Sequence, residues 1–454
     1  MMHLHILGLS GTFMSALALL AREMGYKVTG NDSNCYPPVS DLLADKDIQW
    51  TEGYVDATQA LQADLVIVGN AIKRGMPVLE AVIESGKKYT SGPQWLADNI
   101  LCNYQVIAVS GTHGKTTTTS MIAWILDQAG FNPGFLIGGV ATDFNTSACL
   151  GTGKWFVIEA DEYDSAYFDK RPKFMHYHPR IAVLNNLEYD HADIYPNLEA
   201  IKLQFHYLLR TIPASGVAIK PRDDAALNEV VAQGQYSQVK NIALSGKADW
   251  VAELVDESGS SFKILHHGNE VALVKWSLIG RFNVENALAA VAASTYAGVA
   301  PEVAAKALER FTPVKRRLEV KFNKHGITIY DDFAHHPTAI SKTIEALKAS
   351  KKHQRIYAVL EFASYTMKTG VHAKDMAKAL ADVDTAFILE PKDFDIESTV
   401  ANFNIPYKVC GTNNEIVSEV LNDLKSGDAI LVMSNRSFGG IYKHLIQDIE
   451  QHYN

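Results

Sequence analysis

Short apolar, β-branched runs alternate along the chain with longer stretches whose apolar residues recur at helical spacing. HLHIL (His3–Leu7) leads into a glycine-containing turn and then an amphipathic stretch over 13–24. The segment 27–29 and LVIV (Leu65–Val68) are the next buried runs. Strand, turn and helix repeating in this way predict a parallel sheet covered by helices. The alternation restarts near Tyr104: QVIAV at 105–109 predicts a strand, SGTHGK a loop, and 116–128 a helix stopped by Gly130. WFVI at 155–158 and IAVL (Ile181–Leu184) predict strands that stop at the polar clusters EADEYD and NNLEYDH. The stretch 216–276 is richer in turns and polar residues and predicts peripheral strands on this second unit. A third set follows Phe311-Thr312-Pro313, with strands expected at 327–330, 356–360, 386–389 and 429–433. No solenoid-period repeat or low-complexity segment interrupts the pattern. It predicts three α/β units, 1–102, 103–312 and 313–454.

Composition changes this picture little. The 454 residues are 47% hydrophobic and 20% charged, which excludes disorder of the whole chain. With Lys+Arg 42 against Asp+Glu 51, the net charge of −9 disfavours sequence-independent nucleic-acid binding. Cys35, Cys102, Cys149 and Cys410 form no CxxC pair, which fits a reducing compartment, and they are expected to be buried apolar fillers. MMHLHILGLSGTFMSAL has no basic n-region ahead of an apolar stretch, and even ALAAVAASTYAGVA breaks off at Pro301 and Glu302. The expectation is a cytoplasmic protein with neither membrane nor nucleic-acid partners.

The chemistry sits at the strand ends. In GLSGTF, Gly8 and Gly11 let a turn approach a phosphate in front of a helix N-terminus, and Asp32 is placed to accept a ribose hydroxyl. The fingerprint is incomplete, because Ser10 and Phe13 stand at two of its glycine positions. NAD, another diphosphate and a ligand-free turn all stay open here. The second unit carries a fuller signal. Gly111, Thr112, His113, Gly114, Lys115, Thr116 and Thr117 lie between a strand and a helix, as a phosphate loop requires, although Val109 replaces its first glycine. Lys115 would neutralise β- and γ-phosphates and the Thr116 hydroxyl would ligate Mg²⁺. Glu159 and His191 follow two other strands, where a carboxylate and an imidazole could reach the same metal. Three clusters at three strand ends favour ATP with Mg²⁺, and γ-phosphoryl transfer as the chemistry.

GTHGKTTT, EADE, NNLEYDH, RFNVEN, KRRLEV and YDDFAHHP, in this order, resemble the signatures of the Mur ligases, ATP-dependent amide ligases of peptidoglycan synthesis. The resemblance spans essentially the whole chain. It implies a three-domain Mur ligase architecture, with Rossmann-like N-terminal and C-terminal domains around a central P-loop ATPase-like domain. GLSGTFM and GNAI resemble the subgroup acting on UDP-N-acetylmuramate itself. YPPVSDLL, SGPQWLAD and EADEYDSAYFDKRPKFMHY resemble its murein-peptide-adding branch. That branch joins L-alanyl-γ-D-glutamyl-meso-diaminopimelate to UDP-N-acetylmuramate in cell-wall recycling.

The resemblance further implies roles by position. Lys115 and Thr116 hold ATP phosphates and Mg²⁺, with Glu159 and His191 as metal ligands. Asn283 and Asn286 read adenine, Arg317 reaches the γ-phosphate, Asp332 contacts ribose and His335 a phosphate. Gly8, Gly11, Thr12 and Asp32 face the uridine diphosphate, with Asn70 nearby. Catalysis would rest on Lys115, Glu159, His191, Arg317 and His335. The third domain would bind the incoming peptide and close over ATP about a hinge at 311–314; no general base stands out. A monomer or weak homodimer is expected.

Two positions and two short segments depart from the family pattern. Phe282 stands where many members have histidine, and Gln204 where many carry a carbamylated lysine, so no carbamate is expected. Glu361-Phe362-Ala363-Ser364-Tyr365-Thr366-Met367 replaces EPRSNTM, and Asn435-Arg436-Ser437-Phe438 replaces a glycine-rich version. The alternatives are a ligase adding L-alanine alone or another amine, a nucleotide-sensing protein without ligase activity, and a phosphotransferase of another family. His266-His267 is expected to be solvated, and His336 to be structural.

Overall fold

The computed structural model describes residues 1–36, 39–362, 373–391, 394 and 396–453. Every strand expected from the pattern forms, and three large sheets result beside one two-stranded hairpin. The first runs Gln49–Glu52, Lys27–Asp32, His3–Leu7, Leu65–Val68, Tyr89–Ser91 in spatial order, all parallel. Two histidines interrupt its apolar central strand without cost, because they are satisfied internally. Thr29 Oγ1 meets His3 Nε2 at 2.7 Å and His5 Nδ1 at 2.8 Å, and His5 Nε2 meets Asn31 Oδ1 at 2.8 Å. Burial pulls the His5 imidazole down to about 4, so it stays neutral.

The second sheet has ten strands. Gln105–Ser110 lies at its centre, flanked in parallel by Trp155–Glu159 and Ile181–Leu184. The turn-rich stretch expected to be peripheral extends one side through Val217–Pro221, Gln238–Ala243, Trp250–Leu254, Ser261–His266 and Asn269–Lys275, the last two pairings antiparallel. The third sheet runs Glu319–Lys324, Ile327–Asp332, Asp428–Met433, Arg355–Glu361, Thr385–Leu389, Tyr407–Cys410, parallel except at its first pair. No described helix is long and apolar enough to cross a membrane.

The units are packed together. Helix Thr12–Glu23 lies on strands Gly134–Ala141 and Thr146–Cys149 of the central sheet, and Glu23 Oε2 accepts the Leu150 N–H at 3.1 Å. A hairpin that the pattern did not announce, Asp164–Ala166 with Asp169–Pro172, reaches back to the first unit. There Phe168 meets Tyr89 edge-on with ring centroids 5.2 Å apart.

Three expectations need correction. The segment 311–314 is tied to the central unit: Asp143 accepts the Thr312 N–H at 2.9 Å, and the Thr142 hydroxyl donates to the Pro313 carbonyl at 2.8 Å. The chain instead turns into the third unit at Arg316 and Leu318, both left-handed, with φ of 64° and 50°. His266 is not a solvated turn residue. It ends a strand and stacks on Trp250 at 3.9 Å, and its imidazole is pulled down by burial. Of the cysteines only Cys410 is buried, and Cys102 is exposed. The departure at Ala363 lies outside the described residues.

Candidate active site

A cavity of about 780 Å³ opens where the strand ends of the three units converge. Residues from all three line it, among them Thr12, Asn70, Lys115, Glu159, Arg317 and His335.

Its floor is the loop before helix Lys115–Gln128. Gly114, left-handed at φ 81°, turns the chain into the helix so that the first-turn N–H groups face the cavity. A Cβ there would stand 2.5 Å from Asn286 Oδ1, so only glycine fits. Gly111 lies behind the wall against Asn186. Thr112, His113, Thr116 and Thr117 line the cavity, and Asn186 Oδ1 accepts the His113 N–H at 2.8 Å. Lys115 Nζ donates to the Gly111 carbonyl at 2.6 Å and to Glu162 Oε2 at 3.1 Å, with Asp161 Oδ1 at 3.8 Å. Burial alone would pull the ammonium down, but Glu162 and Asp161 outweigh it and hold it protonated.

The expected metal ligands fall into two adjacent groups. Glu159 Oε1 accepts the Gly138 N–H at 2.6 Å beside Thr116; burial pushes its carboxyl up, only partly offset by Gly138, Thr116, Lys115 and Arg317. His191, left-handed at φ 56°, instead sets Nε2 3.0 Å from Glu162 Oε1. Burial would pull this imidazole down, but Glu162 holds it up. Asp161, Glu162 and His191 each bring a ligand atom within 4.8 Å of the others. Glu162 was missed by sequence reasoning, although it is the last acid of the same EADE cluster.

Arg317 comes from the third unit. Its Nη2 donates to Thr116 Oγ1 at 3.2 Å, and its guanidinium lies over the Phe333 ring, 5.1 Å from the centroid. Asp332 supports it indirectly, accepting the Leu318 N–H at 2.7 Å and the Ala334 N–H at 2.8 Å, so both carboxylate oxygens are engaged. His335 Nδ1 donates to the Phe333 carbonyl at 2.9 Å, and burial pulls this imidazole down. Neutral, it therefore presents Nε2 as an acceptor. Asn283 and Asn286 are buried in the cavity wall; Asn283 Nδ2 donates to the Ile279 carbonyl at 2.8 Å, and Asn286 Oδ1 accepts from Thr118 at 3.1 Å. Phe282 also lines the cavity, whereas Gln204, half-buried on helix Leu198–Thr211, does not.

On the first unit, Gly11, Thr12 and Asn70 line the cavity, but Gly8 and Asp32 lie behind it. Asp32 is buried and accepts the Ser10 N–H at 2.8 Å and the Asn34 N–H at 3.0 Å, so it holds the glycine turn in shape. A second cluster missed from sequence joins the central and third units. Glu188 Oε2 accepts the Thr338 hydroxyl at 2.7 Å and lies 3.4 Å from His113 Nε2 and 3.5 Å from His336 Nδ1. The departure at Arg436 is used through its main chain, its carbonyl accepting from Arg316 at 2.6 Å.

These residues suit a magnesium nucleotide. A hydroxyl and a carboxylate, Thr116 and Glu159, are hard oxygen donors, and a buried lysine beside a helix N-terminus suits phosphate. Glycine at 138 leaves room for the carboxylate, since a Cβ there would stand 2.5 Å from Glu159 Oε2.

Three family descriptions match the chain in succession: the Mur ligase family catalytic domain over residues 3–104, the Mur ligase middle domain over 109–294, and the Mur ligase glutamate ligase domain over 316–436. A UDP-N-acetylmuramate–L-alanyl-γ-D-glutamyl-meso-2,6-diaminoheptandioate ligase of Haemophilus influenzae is 48% identical over 99% of this chain and 100% of its own. The crystal structure of a murein peptide ligase from Psychrobacter arcticus is 43% identical, covers 98% of each chain and superposes with a TM-score of 0.77. A UDP-N-acetylmuramate–L-alanine ligase of Desulforapulum autotrophicum is 31% identical over 85% of this chain and 83% of its own. With its three sheets, its phosphate loop and matches that run nearly end to end, the chain belongs to the Mur ligase family.

Proposed function

We propose that this protein is an ATP-dependent ligase joining L-alanyl-γ-D-glutamyl-meso-diaminopimelate to UDP-N-acetylmuramate. The observation that carries the reading is the meeting of Thr116 and Arg317 at 3.2 Å, in a cavity that also opens on the glycine turn of the first unit. A phosphate loop faces an arginine from another domain there, with room for a second anionic substrate between them. The peptide rather than L-alanine is favoured by identity of 48% over the full chain, against 31% over 85%.

The domains divide the work as 1–102 for the UDP-sugar, 103–312 for ATP, and 313–454 for closure and the peptide. A carboxylate is a poor acyl donor because oxide is a poor leaving group. Phosphorylating the lactyl carboxylate gives an acyl phosphate, which the L-alanyl amine attacks with loss of phosphate. Magnesium, when bound, supplies charge neutralisation between the phosphates, with Thr116 and Glu159 holding it and His191 beside them. Lys115 and Arg317 cancel charge spread over the transferred phosphoryl group. Asn283 and Asn286 form the adenine wall. Asp332 acts by fixing the Arg317 turn, and His335 receives a phosphate once protonated. Gly11, Thr12 and Asn70 meet the uridine diphosphate, while Gly8 and Asp32 keep the turn in shape. The Glu188–Thr338 contact holds the third domain over the site, excluding water from the acyl phosphate.

The test is ADP release with UDP-N-acetylmuramate and ATP while tripeptide or L-alanine is offered. Turnover with tripeptide is expected. Product with L-alanine alone would replace the reading, and no co-substrate-dependent ADP release would remove it.

A further inference from the structure

The mechanism above leaves several charged groups of the cavity unused, Lys173 among them. Lys173 opens the short 3₁₀ turn Lys173–His176, straight after the hairpin that reaches the first unit, and it lines the cavity. Its Nζ donates to Asp161 Oδ2 at 2.9 Å and sits over the Phe13 ring, 5.5 Å from the centroid. Phe13 begins the helix behind the glycine turn of the first unit, so Lys173 stands at the seam between the two substrate halves of the cavity. The other oxygen of Asp161 faces Lys115 at 3.8 Å, so a single carboxylate links this ammonium to the phosphate loop.

The position is built rather than incidental. The Lys173 N–H donates to the Tyr163 carbonyl at 3.0 Å. The hairpin ahead of it is clamped by Ser165 to His176 at 3.0 Å, by His176 to Gln94 at 3.1 Å, and by Phe168 against Tyr89. Gln94 and Tyr89 belong to the first unit, so both domains fix the lysine.

Charge balance indicates the occupant. Around the phosphate loop, Glu159, Asp161 and Glu162 face the cations Lys115 and Arg317, and Lys115 is engaged by Glu162 and the Gly111 carbonyl. An incoming carboxylate brought up to a γ-phosphate would meet strong repulsion without a cation of its own. Lys173 has three donors, of which Asp161 takes one, and it lies against Phe13 of the first unit.

We infer that Lys173 is the subsite for the carboxylate of the UDP-sugar acceptor, gripping it beside the phosphate loop while Asp161 holds the ammonium in place. The inference rests on the ligase reading above and names the residue that presents the acceptor for phosphorylation.

The test compares equilibrium binding of UDP-N-acetylmuramate with that of UDP-N-acetylglucosamine, which has the same diphosphate but no lactyl carboxylate. In Lys173→Ala the first is expected to weaken by at least about tenfold, the scale of one charged hydrogen bond, with the second unchanged. Lys173→Arg should recover part of the loss, and the KM for ATP should stay near wild type. Equal weakening of both ligands would assign the lysine to the diphosphate and overturn the inference, as would no weakening of either. An unstable Lys173→Ala would show as weakened ATP binding too, in which case Lys173→Gln is compared with Lys173→Arg on the same two ligands. A wild-type protein that does not prefer UDP-N-acetylmuramate over UDP-N-acetylglucosamine would sink the ligase reading itself, a failure visible without any variant.

Discussion

Arg317 of the third unit donates to the Thr116 hydroxyl of the phosphate loop at 3.2 Å, so the two domains meet at the residue expected to carry the metal. The arginine is held by stacking on Phe333 and by left-handed residues on either side of it. Such a residue acts where charge develops rather than where substrate first lands. Arg317→Ala should therefore lower kcat by about 10²–10³-fold, with a much smaller change in the KM for UDP-N-acetylmuramate. Arg317→Lys should restore little, since an ammonium lacks the planar fork and the ring stacking. Steady-state ADP release checks this; an unchanged kcat would remove Arg317 from the reaction.

Lys115 and Glu162 form a largely buried pair, with side chains 14% and 2% exposed. Replacing Lys115 by Met leaves Glu162 charged, buried and short of its cation, at a cost of about 3–5 kcal/mol. Lys115→Met should lower the denaturation midpoint as well as abolish nucleotide binding. Adding Glu162→Gln should recover much of the stability and none of the binding. If the double variant were no more stable than the single one, the pair would not carry the stability assigned to it.

The strand pattern of all three units was legible in the sequence because parallel strands buried on both faces are continuous apolar runs. Lys115, Thr116 and Glu159 were legible for a different reason: each stands at the end of such a run, where the fold gathers ligands. What stayed hidden depended on contacts between segments that the pattern does not join, within a unit or across two. Nothing local marks Glu188 as the partner of Thr338, which lies 150 positions away, or Lys173 as the partner of Asp161 across a hairpin. Asp32 shows the converse. Its spacing from the glycine turn suits a ribose, yet one of its oxygens is spent on the turn's Ser10 N–H and the other on the Asn34 N–H. The departures at Phe282 and Arg436 leave the site intact, the first forming cavity wall and the second contributing its carbonyl.

Glycine at 138 is required by a side chain rather than by its own backbone. A Cβ there would stand 2.5 Å from Glu159 Oε2, the movable end of a carboxylate, so the side chain yields before the fold does. Gly138→Ala is expected to lower kcat by at least about tenfold, as small displacements of catalytic groups do, and to raise the Mg²⁺ concentration needed for half-maximal rate. The denaturation midpoint should stay close to wild type. A large loss of stability with normal magnesium dependence would place the role of Gly138 in packing instead.

Glu188 offers a pH-dependent readout of the closed arrangement. Burial alone would push its carboxyl up, but His113, Thr338 and His336 outweigh burial and hold it at about 2 against an ordinary 4.5. A carboxyl depressed in the folded protein adds stability that is fully present above its unfolded value and is lost as pH falls toward the folded one. The contribution should therefore be constant above about pH 5 and fade between about 4.5 and 2. Comparing the thermal midpoints of wild type and Glu188→Ala across this range isolates the effect. The gap between them should be level near neutrality and narrow steadily on acidification. Thr338→Val, which removes one of the donors, should show a smaller gap with the same direction of change. A gap that widened as pH fell would mean that Glu188 is held protonated in the folded chain and that the donors around it do not outweigh its burial.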